Sequence, residues 1–578
     1  MPARNGSVHV ATTSRAYKDK VYRTHLLRRS YREDGKVKNE TVGNLSHLPE
    51  PLIDIIRRSL QGETFVPLAD AFEITRSRAH GHVQAVSVAM ARLGLTSVLA
   101  TQPCRERDLV LAMVASRILH PDTKLGTTRR WHTSTLAEDF GVADADEDDL
   151  YAAMDWLLAR QDAIQAKLAA RHLSAGGLVL YDLSSSYFEG STCPLARRGY
   201  SRDGKPGTLQ VNYGLLTDAR GCPVAVSVFE GNTADSKTFM PAVRRVREDF
   251  GLQQVVMVGD RGMVSQKAID ELREHDGMGW ITALKSASIR ALVEQGQLQL
   301  GLFDQRNLVE LESPDFPGER LVACRNDALA KLRAHKREEL LQATEACLLE
   351  IKASVDATKL RGQDKIGLRV GKVVNKFKVA KHFELTITDA SLAWMRRQDH
   401  IDAEAALDGL YIIRTSVGAA QMDAPSCVRN YKSLANVERA FRSLKTIDLK
   451  VRPIHHRLAS RVRSHIFLCM LAYYVEWHMR QAWAPLLFAD TEQAAKATRD
   501  PVAPAQRSSS AQDKASSHTL PEGQAVHSFA TLLTELATLV SNTCRTPHAA
   551  PDTPTFNVLT SATAYHRRAL ALIDDIHP

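Results

Sequence analysis

The chain has 578 residues, of which 44% are apolar and 24% charged, a composition typical of a globular protein with two to four domains. Its net charge of +9 indicates an anionic partner only where the charge is clustered. Eight cysteines with no CxxC pair and no Cys/His zinc spacing indicate reduced thiols, and the longest apolar run (466–475) is about half a membrane span, so we expect a soluble cytoplasmic protein.

The first part of the chain predicts a small basic β element followed by helices. Polar and apolar residues alternate over 20–45, and EDGK at 33–36 is a strong hairpin signal. From about 83 to 172 the spacing of apolar residues becomes helical.

Strand signals begin at 178, where the apolar run LVLYD ends at Asp182. Later apolar segments bounded by turn residues predict further core strands, and a helix is expected over 236–250. These predicted strands cover 208–218, 223–232, 255–258, 280–285 and 408–416. Residues 290–405 mix helical and strand patterns with high charge, which predicts an inserted subdomain.

The stretch QQVVMVGDRGM (253–263) places a carboxylate directly after a short buried strand. Asp260 stands between Gly259 and Gly262, and such a sequence is also ordinary turn chemistry. The stretch alone therefore leaves a turn and a functional site equally open.

A third acid lies on a predicted helix from Asn430, as N-cap, to Lys445. At helical spacing, one stripe holds Tyr431, Glu438, Arg442 and Lys445, and the adjacent apolar stripe holds Val437, Phe441 and Leu444. A solvated helix with paired charges would explain this pattern by itself. If the three acids converge, however, their repulsion requires a cation, and oxygen ligands suit Mg²⁺ or Mn²⁺.

Charge is concentrated around this helix. Residues 429–463 hold ten Lys or Arg and only two acids, a net charge of +8. Phosphate neutralisation would account for such a concentration, whereas a solvated helix does not need it.

These residues together resemble the DDE transposases of bacterial insertion sequences. The resemblance is to the fourth insertion-sequence family and its relatives, with a Tyr-x2-Arg-x3-Glu-x6-Lys signature. Tyr431, Glu438 and Lys445 match that spacing, and Leu434 stands where the family has Arg. Matching segments are YDLSSSYFEG around Asp182, FEGNTADSKT (229–238), VGDRGM around Asp260, and 451–476.

The resemblance implies an α/β fold with an RNase H-like core and an insertion before the Glu helix, in which strands one and four are neighbours. Asp182, Asp260 and Glu438 would bind two Mg²⁺ or Mn²⁺ ions and act in nicking element ends and in strand transfer into target DNA. The expected DNA contacts are Tyr431, Arg439, Arg442 and Lys445, with Arg442 the replacement for the missing Arg. The partners implied are the terminal inverted repeats, target DNA and a second copy of the chain.

Seven regions are predicted. They are a basic β element (1–70), a helical end-binding region (71–172), the first part of the core (173–289), the insertion (290–405), the second part with the Glu helix (406–485), a flexible linker (486–525) and a helical tail (526–578). Two alternatives stay open: a catalytically silent DNA-binding protein derived from a transposase, and an RNase H-like nuclease that cuts without joining.

Overall fold

A computed structural model describes residues 6–18, 20–65, 67, 71–303, 306–492, 498–547 and 553–577. The chain falls into two compact units, Met1–Ser77 with Ser541–Leu559, and Arg78–Val540 with Thr560–Pro578.

The strands in chain order are β1 (Ser7–Tyr17), β2 (Lys20–Glu33), β3 (Lys36–Asn44), β4 (Glu73–Ala79), β5 (Leu178–Tyr187), β6 (Arg197–Arg198), β7 (Leu209–Thr217), β8 (Pro223–Glu230), β9 (Val255–Val258), β10 (Met278–Ala283), β11 (Leu308–Leu311), β12 (Arg320–Arg325), β13 (Phe383–Ile387), β14 (Leu392–Arg396), β15 (Leu410–Thr415), β16 (Val540–Arg545) and β17 (Phe556–Leu559).

The α-helices are α1 (Glu50–Leu60), α2 (Gly81–Arg92), α3 (Leu95–Leu99), α4 (Arg105–Leu119), α5 (Lys124–Trp131), α6 (Leu136–Asp139), α7 (Glu147–Leu158), α8 (Gln161–His172), α9 (Phe239–Arg244), α10 (Gln266–Arg273), α11 (Ser286–Glu294), α12 (Asp327–Asp356), α13 (Gln363–Phe377), α14 (Gln398–Ala405), α15 (Ala424–Lys432), α16 (Leu434–Arg442), α17 (Ala459–Ala482), α18 (Ser509–Ser517), α19 (Phe529–Leu536) and α20 (Ala564–Asp574). Two π-helical turns cover Arg245–Asp249 and Ser443–Ile447, and short 3₁₀ turns cover Asp235–Lys237, Leu300–Phe303, Ala380–His382 and Ala484–Leu486.

The smaller unit contains the predicted hairpin. Strands β1, β2 and β3 form an antiparallel sheet, and Glu33 pairs with Lys36 across the turn. Asp34 and Gly35 both adopt positive φ, 50° and 76°, as a two-residue hairpin turn requires. The EDGK prediction is therefore confirmed.

A nine-stranded mixed sheet forms the centre of the larger unit. Its strand order is β11-β12-β15-β10-β9-β5-β7-β6, and β8 pairs with β7. The strands β5, β7 and β8 form the predicted meander, and β9 lies parallel to β5, so the first and fourth strands are neighbours as expected.

The first core strand is longer than predicted. Asp182 does not end β5, which continues to Tyr187 and pairs with β7 along that extension. The parallel pairing with β9 stops at Leu180, so Asp182 lies just beyond the point where the two central strands part.

The boundaries predicted for the insertion and for the helical region differ from those in the structure. Residues 290–405 are not all insertion, because β11 and β12 extend the central sheet. The subdomain with a core of its own begins at α12, where Leu348, Val370 and Leu392 are buried together. Residues 71–172 are helical as predicted except for β4 at the beginning.

In the described residues the predicted flexible linker is wrong, and the predicted helical tail is helical only in part. Within 486–525, Leu486, Val502 and Leu520 are buried in the main core and α18 forms, whereas 493–497 lie outside the described residues. The tail contains α19 and α20, but β16 and β17 lie between them in a three-stranded sheet with β4. The apolar run at 466–475 is the buried centre of α17, and no helix in the described part of the chain is long and apolar enough to cross a membrane.

Candidate active site

The three predicted acids line one cleft of about 650 Å³, which we call the acid cleft. Asp182 comes from β5, Asp260 from the loop after β9, and Glu438 from α16. The cleft is also lined by Ser184, Tyr200, Arg202, Asp235, Met263, Tyr431, Leu434, Arg442, Lys445 and Arg452.

The pKa of Asp182 reflects the burial and the charges in this cleft. This pKa is raised to about 7, mainly by burial and, to a smaller extent, by the charges of Asp260 and Glu438. The Leu183 N–H, which donates to the Asp182 Oδ1 atom at 2.8 Å, and the Arg202 charge act in the opposite direction. The charges of Asp260 and Glu438 are thus close enough to oppose the ionisation of Asp182.

Gly259 fixes the position of Asp260 by close packing. A Cβ atom at Gly259 would lie 2.9 Å from the Val264 Cγ2 atom, whereas one at Gly262 would meet nothing nearer than the Asp260 Oδ2 atom at 3.9 Å. The Met263 and Val264 N–H groups donate to the Asp260 carbonyl at 3.0 and 3.1 Å. The carboxylate itself is exposed and accepts a long hydrogen bond of 3.4 Å from the Tyr431 hydroxyl.

The predicted helix from Asn430 is divided into α15 and α16, and Glu438 lies on the second of them. Asn430 is not an N-cap but lies inside α15, whose N-cap is Asp423; the Asp423 Oδ1 atom accepts from the Ser426 N–H at 2.8 Å. Helix α15 ends at Lys432, and Ser433 separates it from α16. The predicted apolar stripe of Val437, Phe441 and Leu444 is buried, so Glu438 stays exposed on the side that lines the cleft.

The predicted cations differ in their surroundings. Arg442 is exposed and lines the acid cleft. Arg439 is also exposed but does not line it, and its guanidinium donates to the Asn436 Oδ1 atom at 3.3 Å. Lys445 is only 8% exposed. Its ammonium donates to the Ser184 Oγ atom at 3.2 Å and forms an ion pair of 2.5 Å with Asp203.

Arg202 and Asp235 are charged residues of the cleft wall that are not among the predicted site residues. Arg202 and Asp235 form an ion pair of 2.5 Å, and both line the acid cleft. Asp235 stands within the matching segment FEGNTADSKT, but Arg202 comes from a loop without any periodic signal. Asp203, next to Arg202, is buried and joins Lys445 and Arg452 in one charge cluster.

A separate group of potential metal ligands lies outside the acid cleft. His172, Cys222 and His478 each offer one ligand atom within 4.8 Å of the others. A thiol and two imidazoles suit Zn²⁺ rather than Mg²⁺ or Mn²⁺, so this group does not replace the carboxylates.

Two family models match the chain. The model described as "Transposase DDE domain" matches residues 179–475, and "IS1634 family transposase, N-terminal domain" matches residues 10–65. No curated protein matches the chain.

One solved structure similar to this chain is the piggyBac transposase in a synaptic complex with hairpin DNA. The identity is 9% and the TM-score 0.33, over 79% of this chain and 76% of that chain. A likeness of this degree carries no argument about fold or function.

The DDE match covers just over half of the chain and includes all residues that line the acid cleft, from Asp182 to Arg452. DDE transposase domains act on DNA and use divalent metal ions. The chain therefore belongs to the insertion-sequence DDE transposases and is a DNA transposase.

Proposed function

We propose that Asp182, Asp260 and Glu438 are the catalytic acids with which this transposase nicks the ends of its element and joins the freed 3′ ends to target DNA. The observation that carries the proposal is that the three carboxylates line one cleft and that two of them raise the pKa of the third. We also infer an RNase H-like core. It is supported by the central pair of parallel strands β5 and β9, which has β7 antiparallel to β5 on one side and β10 parallel to β9 on the other.

The donor set of the acid cleft fits hard divalent cations. Carboxylate oxygens are the ligands that Mg²⁺ and Mn²⁺ prefer, and the mutual repulsion of the three acids is relieved by a bound cation. We infer two such ions, held by Asp182, Asp260 and Glu438. When bound, they stabilise charge on the attacking and leaving oxygens of phosphoryl transfer.

Side chains around these acids would orient the DNA. The Tyr431 hydroxyl donates to Asp260 and restrains its carboxylate. Arg442 is exposed in the cleft wall, and no side-chain partner for it lies among the described residues, so we assign it to the phosphate beside the scissile bond. It would replace the Arg that the family has where buried Leu434 stands. Lys445 would hold the cleft wall through Asp203 and reach a phosphate only by exchanging partners.

The assembly we infer follows from the reaction. Joining an element to a target requires two ends, so a homodimer on DNA in the bacterial cytoplasm is the expected working form. The basic β element (1–70) and the helical region (71–172) would recognise the terminal inverted repeats.

The test is nicking of a duplex that carries an element end, with Mg²⁺ or Mn²⁺. Asp182→Asn, Asp260→Asn and Glu438→Gln should each abolish nicking, whereas Asp270→Asn, a matched change at an exposed acid outside the cleft, should leave it unchanged. Glu438→Gln should bind the duplex as tightly as wild type or slightly more tightly, because a negative charge near DNA is removed. Near-normal nicking by any of the three variants removes that residue from the site.

The same reactions separate transposition from simple cutting. With a labelled target duplex present, the wild-type protein should yield joined products that contain both DNAs. Nicked ends without any joined product would favour the nuclease alternative.

A further inference from the structure

A second cavity of about 650 Å³, here called the basic pocket, lies between the loop before α5, the helix α7 and residues 450–465. Its walls carry six Lys or Arg side chains, three histidines and a single acid, Asp122. The six cations are Arg117, Lys124, Lys450, Arg452, Arg457 and Arg461.

Three of these cations have partners within the protein. Arg117 donates to the carbonyl oxygens of Leu449 and Asp122 at 3.5 and 3.2 Å. Arg461 forms a bidentate pair with Asp155, in which both hydrogen bonds measure 2.9 Å. Arg452 pairs with buried Asp203.

The other three cations, Lys124, Lys450 and Arg457, have no ion-pair or hydrogen-bond partner for their side chains in the described part of the chain. Lys450 and Arg457 are exposed, so water can solvate them. Lys124 is only 5% exposed, and it lines the basic pocket.

An ammonium without an acceptor is unfavourable where its side chain is largely removed from water. The pKa of Lys124 is lowered to about 7, mainly by burial and then by the neighbouring Arg117 charge. The pKa of His456 falls to about 3, because of burial first and then the charges of Lys124 and Arg117. Asp122 is the one acid in the wall, and it faces Arg130 at 3.4 Å. The pocket therefore holds positive charge that the described residues do not neutralise.

The basic pocket adjoins the acid cleft, since Arg452 lines both. A DNA strand with its scissile phosphate at the acids would bring its neighbouring phosphates to this side of the protein. Anionic oxygens are the ligands that unpaired Lys and Arg side chains bind most strongly.

We propose that the basic pocket binds a backbone phosphate of the substrate DNA, at a site separate from the acid cleft, with Lys124 as its buried cation. This inference rests on the proposed function only in that the DNA is taken to enter the acid cleft. Lys124 then has a binding role that explains why an unpaired ammonium is kept in the interior, at the expense of stability in the DNA-free protein.

The experiment is a salt titration of DNA affinity with the full chain in the absence of divalent ions, so that no chemistry occurs. Lys124→Met should weaken binding of an element-end duplex and reduce the salt slope by about one counterion. Arg457→Gln, at the exposed rim of the basic pocket, should also reduce the salt slope of DNA binding by about one counterion. Lys352→Met removes the same charge from an exposed i,i+4 pair with Asp356 and should leave the slope unchanged.

Thermal stability without DNA separates a binding role from a structural one. Lys124→Met should raise the melting temperature or leave it unchanged, because an unpaired buried charge is lost, whereas a structural lysine would lower it on removal. Inorganic phosphate should stabilise the wild type and not Lys124→Met, and stabilisation by phosphate without any change in DNA salt slope would assign the pocket to a small anion and overturn the proposal.

The two proposals fail independently. An unchanged salt slope for both Lys124→Met and Arg457→Gln overturns the phosphate site even if the acid variants lose nicking. Normal nicking by the acid variants overturns the catalytic assignment even if both slopes fall.

Discussion

Asp182 is partly buried beside two other carboxylates, and its protonation connects the acid cleft to stability. Its pKa is raised from 3.8 in the unfolded chain to about 7 in the native protein. Between these values the native protein holds a proton that the unfolded chain has lost. Wild-type stability therefore falls as pH rises through this window, by at most about 1.4 kcal/mol per pH unit from this group.

Asp182→Asn removes this dependence. Without divalent ions, the free energy of unfolding of the variant should increase relative to that of wild type between pH 5 and pH 8. Mn²⁺ should reduce this difference between the two proteins, because it stabilises only the intact acid site. Urea unfolding at the two pH values, with and without Mn²⁺, measures this, with Asp270→Asn as the control. A stability difference that is the same at both pH values contradicts the raised pKa of Asp182.

Arg442 and Arg439 form a matched pair on α16, because both are exposed and only Arg442 lines the acid cleft. Arg442→Ala should reduce the salt slope of DNA binding by about one counterion, whereas Arg439→Ala should leave it nearly unchanged. A salt titration of both variants measures the difference. Equal slopes for the two variants would mean that DNA does not distinguish the two sides of this helix.

Lys445 should behave differently from Arg442. Its ammonium is already paired with Asp203, whose side chain is 1% exposed, so Lys445 contributes little free charge to the cleft. The sequence spacing identified Lys445 as a phosphate contact, but spacing does not reveal a partner that lies more than 200 residues earlier in the chain.

At the scale of single elements, the sequence predicted the central strands well and their ends less well. Apolar runs identify β9, β10 and β15, because buried strands leave a continuous signal. The extension of β5 through Ser184, Ser185 and Ser186 has no such signal, since these serines are polar yet buried. Their pairing with β7 supplies the backbone hydrogen bonds that local sequence does not show.

Two errors arose from composition. Asn430 indicated an N-cap, because Asn is common at that position, but it lies inside α15, which begins at Ala424 after the N-cap Asp423. The Ala- and Ser-rich residues after 495 indicated a linker, but Val502, Ala511 and Leu520 suffice to dock the described part of this segment.

The loop after β9 provides an element-scale prediction about the glycines on either side of Asp260. Gly259→Ala should destabilise the protein by about 1–3 kcal/mol and reduce nicking, because its Cβ would press on Val264 and displace the loop. The Cβ of Gly262→Ala would make only an ordinary contact, 3.9 Å from the Asp260 Oδ2 atom, and the variant should change both properties little. Thermal unfolding and nicking rates measure both variants, and equal losses would show that packing at Gly259 does not set the acid's position.

At the scale of the whole molecule, contacts distant in sequence limited the prediction most. Strand β16 lies in one sheet with β4, although more than 450 residues separate them. A local pattern can show that a segment forms a strand, but it does not name the partner strand. The cluster of positive charge predicted the location of the site better than local strand patterns predicted strand pairing, because residues 429–463 line both the acid cleft and the basic pocket.

Buried histidines determine how the whole chain should respond to acid. Burial lowers the pKa of His82 to about 4 and the pKa values of His456 and His478 to about 3. Below pH 6.5 these histidines bind protons in the unfolded chain but not in the native protein, so the free energy of unfolding decreases as pH falls. Each group contributes at most about 1.4 kcal/mol per pH unit until its native pKa is reached. The same direction holds for His120, His172, His382 and His465.

Two buried carboxyls oppose this loss. The pKa values of Asp182 and Glu476 are raised to about 7, mainly by burial, so both groups favour the native protein as pH falls from 7 towards 4. Because the histidines outnumber these acids, the DNA-free and metal-free protein should become less stable between pH 6.5 and pH 4.5. In Asp182→Asn the fall should be steeper, since one opposing group is gone. Urea unfolding across this range tests both statements, and stability that stays constant or rises on acidification would show that the buried histidines do not control it.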